Sequence, residues 1–91
     1  MTERTLKVGY ADLLAAIVEA LDVPLPSLAY VDERRYYRLL EHRAADVRIA
    51  VGVNLAHSGD PWLAASEIRR RTAEEPVTYT PYEPKTDGAD R

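Results

Sequence analysis

The sequence predicts an all-α domain of three helices, at about 10–21, 32–56 and 60–74, followed by an extended C-terminal segment. Three observations lead there. Apolar residues recur three and four apart within each stretch. Proline-bearing breaks at 22–26, 57–61 and 75–76 separate the stretches, because proline disfavours helical backbone in the residue before it. Leu, Ile and Val supply 21 of the 91 residues, enough for one small core and no more. A chain of this length holds one domain, expected over 1–80, and the polar residues 81–91 read as a disordered tail.

In the first helix Leu13, Leu14, Ile17, Val18 and Leu21 form one apolar stripe, with Asp12 and Glu19 on the other side. Ala15, Ala16 and Ala20 add helix propensity without bulk. The second helix is expected to start with Asp32 as N-cap and Glu33 in the first position. Its core face is Tyr36, Tyr37, Leu40, Ala44, Val47, Val51 and Leu55. The opposite face begins polar, with Arg34, Arg35, Arg38, Glu41, His42 and Asp46. It continues apolar, with Ile49, Ala50, Val53 and Ala56. The second half is therefore apolar nearly all round. Residues 46–55 also alternate in period two and are rich in β-branched types, so an α+β fold with 46–55 as a strand is the alternative. Against it, a lone strand has nowhere to satisfy its backbone groups.

The third helix opens with Asp60-Pro61, a side-chain cap followed by a residue pre-set for the first turn. It carries Trp62, Leu63, Ala64, Ala65 and Ile68, and Glu67 can pair with Arg71 one turn on. Pro76 stops it. Val77 and Tyr79 are expected to fold back over its thin stripe, and Tyr82 is equally suited to that role or to a ligand segment for another protein.

Composition excludes several functions. Fifteen acids against twelve bases give a net charge of −3, which argues against a general nucleic-acid coat. The chain has no Cys, so disulfides, Cys-based zinc sites and thiol catalysis are out. The N-terminal residues lack the apolar run of a secretory signal, nothing approaches a membrane span, and the cytoplasm is the expected location. His42 and His57 lack further ligands at metal spacing, and Ser27, Ser58 and Ser66 read as turn, cap and surface residues. Neither a metal, a cofactor nor an enzymatic activity is expected.

Two arginine clusters remain, Arg34, Arg35 and Arg38 at the start of the second helix and Arg69, Arg70 and Arg71 near the end of the third. In antiparallel helices they would meet at one end as a patch for phosphate, nucleic acid or an acidic partner. The bland alternative is a solvated face with interleaved glutamates.

The runs Arg35-Tyr36-Tyr37-Arg38-Leu39-Leu40, Asp46-Val47-Arg48-Ile49-Ala50 and Arg69-Arg70-Arg71-Thr72-Ala73 with Pro76-Val77-Thr78-Tyr79 resemble short, uncharacterised helical proteins of actinobacteria and their phages and mobile elements. The resemblance spans roughly residues 22–79. It implies an all-α fold and a bacterial or phage source, and no activity. Ten Arg against two Lys, with 13 Ala, match the GC-rich coding bias of such genomes. The functional expectation is protein–protein association. A short first helix cannot cover both faces of a second helix twice its length, so Ile49, Val53 and Ala56 are expected to form a homodimer interface. A DNA-associated regulator acting through the arginine clusters is the alternative.

Overall fold

The computed structural model describes residues 3–84. Helix α1 spans Glu3–Leu21, α2 Tyr30–Ala50, α3 the single turn Ala56–Ser58, and α4 Pro61–Glu74. A π-helical segment, Val51–Leu55, joins α2 to α3 without a break, so Tyr30 to Ser58 form one continuous rod. The architecture is thus all-α with three long helical elements, and no strand occurs among the described residues. The disordered tail expected at 81–91 lies mostly outside the described residues. Its first positions do not hang free: Tyr82 donates to the Leu25 carbonyl at 2.7 Å, and Pro81 bridges Pro26.

Each helix end has a local cause. Asp60 caps α4 as expected, its Oδ1 accepting from the amides of Trp62 at 2.9 Å and Leu63 at 3.2 Å. Gly59 closes α3 at φ +67°, the left-handed position that glycine occupies without strain. Asp32 is not the N-cap of α2. That position falls to Ala29, which offers no side-chain bond. Asp32 sits one turn inside, buried, and accepts from Ser27 Oγ at 2.6 Å, while the same oxygen accepts from the Ala29 amide. The carboxylate thus fastens the preceding loop to the first turn, where the helix dipole favours an anion.

Helix α1 begins seven residues earlier than expected, at Glu3. Gly9 concealed this, being a poor helix former. It is needed because α1 passes so close to α4 there that a Cβ would lie 2.7 Å from Pro61 and 3.0 Å from Trp62. The rest of the α1–α4 contact is made of small groups as well. Ala16, Ala20, Ala64 and Ala65 are buried with Leu13 and Ile68. The expected stripe on α1 is therefore corrected: Leu13 is in the core and Ile17 packs on it, but Leu14, Val18 and Leu21 are exposed.

The buried line of α2 is Leu39, Arg43 and Ala50, with Asp46 half-buried. It runs one residue off the expected stripe, of which Tyr36, Leu40, Val47, Val51 and Leu55 are half-buried and Tyr37 and Ala44 exposed. The period-two run of 46–55 resolves into two helical stripes. Val47, Val51 and Leu55 pack against the core, and Ile49 and Val53 face out. The wide π turn holds Val51 and Leu55 on the core side together, with Asn54 Nδ2 donating to the Ala50 carbonyl at 3.0 Å.

The first half of α2 is covered by extended chain instead of a helix. The loop before α2 and the segment after α4 run beside each other, joined by the Ser27 amide to the Thr80 carbonyl at 2.9 Å. Tyr79 is buried, its hydroxyl donates to the Pro24 carbonyl, and its ring meets Tyr36 edge-on at 6.0 Å. So Tyr79 folds back, but onto α2 and its loop, while Val77 stays exposed.

Candidate functional site

Three features of the surface and its underpinning bear on function. The first is the outer face of α1. Between Val8 and Leu21 the only charged residues are Asp12 and Glu19. Both turn toward α4, where Arg69 holds them at 2.8 Å and 3.2 Å. What faces solvent is Val8, Tyr10, Ala11, Leu14, Ala15, Val18 and Leu21, with Leu14 64% and Val18 67% exposed. Large apolar side chains left this open on one helix face are unusual on a soluble monomer.

The second is the face expected to carry self-association. Ile49 and Val53 are 46% and 54% exposed, and Ala56 is exposed beside them. Ile49 and Val53 border a shallow groove against α4, of about 250 Å³, whose other wall includes Glu67 and Arg71. This face is smaller than that of α1 and has a charged rim.

The third is the pair of arginine clusters, which the fold treats differently. Arg69, Arg70 and Arg71 are all engaged. Arg69 ties α4 to α1. Arg70 pairs with Glu67 and with Glu74 at 2.8 Å. Arg71 pairs with Glu67 at 2.8 Å, as the one-turn spacing predicts, and with Asp46 of α2 at 3.0 Å. The two guanidinium groups hold the Glu67 carboxyl down to about 2, through their hydrogen bonds first and their charge second. Arg34, Arg35 and Arg38 form no ion pair among the described residues. Arg35 and Arg38 line a depression of about 430 Å³ with His42, Pro76 and Thr78, and Arg34 lies over the Tyr30 ring at 5.8 Å. The two clusters do not merge. Arg71 meets α2 at Asp46, two helical turns beyond Arg38.

Beneath these surfaces lies a polar knot that sequence reasoning missed. Arg43 is buried and donates to the carbonyls of Ala20 at 2.9 Å and Glu75 at 2.6 Å, joining the ends of α1 and α4 to the middle of α2. Next to it Glu75 Oε1 and Asp46 Oδ2 are buried without a donor. A proton on Glu75 would supply that donor. Hydrogen bonding to Asp46 pushes the Glu75 carboxyl above its ordinary range, helped by burial and the Asp46 charge and opposed by His42 and Arg43. His42, with its Nδ1 3.7 Å from Glu75 Oε2, belongs to this knot. His57 stands exposed in α3. No group of three metal-ligating side chains occurs among the described residues. No described helix is long and apolar enough to cross a membrane.

The chain matches no family model, no curated protein and no solved structure.

Proposed function

We propose that the protein is a small protein–protein association module of the cytoplasm, a self-associating or accessory subunit of a bacterial or phage system. One observation carries this reading: the large apolar side chains lie outside and the small ones inside. Among the described residues the buried core contains five alanines but only Leu13, Leu39, Ile68 and Tyr79 as large apolar groups, while Leu14, Val18, Ile49, Val53 and Leu63 are each at least 46% exposed. A body 15 Å across its shortest axis is only about two helix layers deep, so it cannot turn both sides of each helix inward. Association buries what the fold leaves out, each Ile, Leu or Val contributing on the order of 1.5–3 kcal/mol when fully covered. Sedimentation of the intact chain at micromolar concentration is the test. A species heavier than the 10.2 kDa monomer supports self-association, and a monomer at every concentration removes it.

That Arg34, Arg35 and Arg38 form no ion pair among the described residues favours a second reading, a DNA-associated regulator. It is the weaker one, because Arg69, Arg70 and Arg71 are already neutralised by carboxylates and the net charge is −3. Titration with random duplex DNA separates the two. Counterion release makes a DNA binder lose affinity steeply with salt. The association module shows no measurable binding.

A further inference from the structure

Resting on the association reading, we infer that the partner surface is the outer face of α1, and that its occupant is α1 of a second copy, running antiparallel about a two-fold axis through Leu14. Lys7, Tyr10, Leu14, Ile17 and Leu21 follow one another at intervals of three, four, three and four, the spacing of a two-helix seam. Nothing among the described residues covers most of that seam: Tyr10 is 43%, Leu14 64% and Leu21 42% exposed, and Ile17 alone leans on the core. Beside the seam stand Ala11 and Ala15, small enough for two backbones to approach closely, and Val18. The acidic side chains that would otherwise repel a copy of this helix are turned away, because Asp12 and Glu19 are bound to Arg69.

Charge selects the orientation. Among the five seam residues Lys7 is the one base, at the N-terminal end, and Asp22 follows Leu21 at the C-terminal end. In a parallel pair Lys7 would meet Lys7 and Asp22 would meet Asp22. In the antiparallel pair each Lys7 lies beside the partner's Leu21 and Asp22 and near the negative end of the partner helix. Tyr10 then lies opposite the partner's Val18, Ala11 opposite the partner's Ile17, and Leu14 opposite its own copy. The face is complementary to itself, which a foreign protein would not require. A lipid surface fits poorly, since helices that lie on membranes carry Lys and Arg along their polar flanks. Here the flank carries Asp12, Glu19 and Asp22.

The face offers on the order of a few hundred Å², enough to mark an interaction site. That is less than the roughly 800 Å² per partner of a standard interface. A concentration-dependent dimer with a dissociation constant of about 1–100 µM follows.

The experiment is sedimentation of the intact chain across that range, with circular dichroism to verify folding. The double variant Leu14→Glu/Val18→Glu is expected to be folded, because both positions face solvent in the monomer, and to be monomeric. Ile49→Glu/Val53→Glu is expected to dimerise like the wild type. If the second variant is the monomeric one, the α1 inference falls while the association reading stands. If the wild type is monomeric throughout, self-association falls with it. Orientation is read by disulfide trapping, since the chain has no cysteine of its own. Leu14→Cys should cross-link to its copy, and Lys7→Cys alone should not. Cross-linking of both would mean a parallel pair and overturn the antiparallel assignment.

Discussion

The guanidinium of Arg43 holds the main-chain carbonyl of Glu75 at 2.6 Å, across 32 residues of sequence, and so fastens the chain leaving α4 to the middle of α2. Its other arm holds the Ala20 carbonyl at the end of α1. One side chain thereby satisfies two helix-terminal carbonyls that burial would otherwise leave without water. Arg43→Ala is expected to destabilise the domain by about 3 kcal/mol, the scale of losing charge-assisted bonds while stranding their buried acceptors. Arg43→Lys keeps the charge but can serve one carbonyl well, and should lose about half as much. Urea unfolding of the two variants measures the difference. Equal stability of wild type and Arg43→Ala would mean that the guanidinium bonds contribute nothing.

The carboxyls around this arginine should give stability a two-sided dependence on pH. Glu75 is held above its ordinary value of 4.5, so its protonated form is favoured in the fold. Its contribution is complete below 4.5 and is lost as pH rises through the raised value. Glu67 is lowered from 4.5 to about 2 by Arg70 and Arg71, so its contribution is complete above 4.5 and is lost as pH falls toward 2. Glu75→Gln keeps a donor for Asp46 without the charge. It should flatten the decline above 4.5 and raise the neutral-pH melting temperature by roughly 4–8 °C, the equivalent of about 1 kcal/mol. It should leave the acid limb unchanged. Glu67→Gln should flatten only the acid limb, and slightly, since solvent screens its exposed ion pairs. Thermal melts from pH 3 to 8 test both, and an unaltered profile in Glu75→Gln would assign the alkaline limb elsewhere.

The run Arg69-Arg70-Arg71 should prove structural at two of its three positions. Arg69 bridges to α1 and Arg71 to α2, whereas Arg70 pairs only within α4. Ion pairs within one exposed helix contribute little, since solvent screens them and ordering the side chains costs entropy. Arg70→Gln should therefore melt like the wild type. Arg71→Gln should melt lower, because it leaves Asp46 beside Glu75 with one cation fewer. A ranking in which Arg70→Gln is the more damaged would show that the bridges between helices do not matter.

The fold class was legible because each helix carries a three-and-four pattern and each break carries proline. The helix faces were less so, and the reason is physical. Apolar periodicity identifies which residues are large and oily, not which are inside. On α1 the stripe of Leu14, Val18 and Leu21 outweighs Ala16 and Ala20 in any such reading. Yet the alanines are buried, because small groups let α1 and α4 approach. On α2 the buried line passes through Arg43, and a charge at a core position disguises the seam. The knot of Arg43, Asp46 and Glu75 is invisible in sequence, since its members are brought together only by how the chain leaves α4. Ile49 and Val53 read as an apolar face in the sequence and stand exposed in the fold. The apolar stripe of α1 carries no sign of which of its members stand outside.

The close approach of α1 and α4 leads to a last expectation, which sets two helical glycines against each other. Ala normally improves a helix interior over Gly by about 0.5–1 kcal/mol, since glycine loses more backbone freedom on folding. Gly52 lies in the π segment with nothing within 4 Å of where a Cβ would stand, so Gly52→Ala should follow that rule and stabilise. Gly9 also lies in a helix, but its Cβ would stand 2.7 Å from Pro61 Cγ and 3.0 Å from the Trp62 ring. Pro61 is fixed by its own ring at the start of α4 and is fully buried, so it cannot turn aside. Gly9→Ala must push the two helices apart along the Ala16, Ala20, Ala64 and Ala65 contact, and overpacking of this kind costs about 1–3 kcal/mol. The same substitution is thus expected to raise the melting temperature at one site and lower it at the other. If Gly9→Ala is also stabilising, the helices are not in contact at Pro61, and the small-residue packing that turns the large side chains of α1 outward loses its basis.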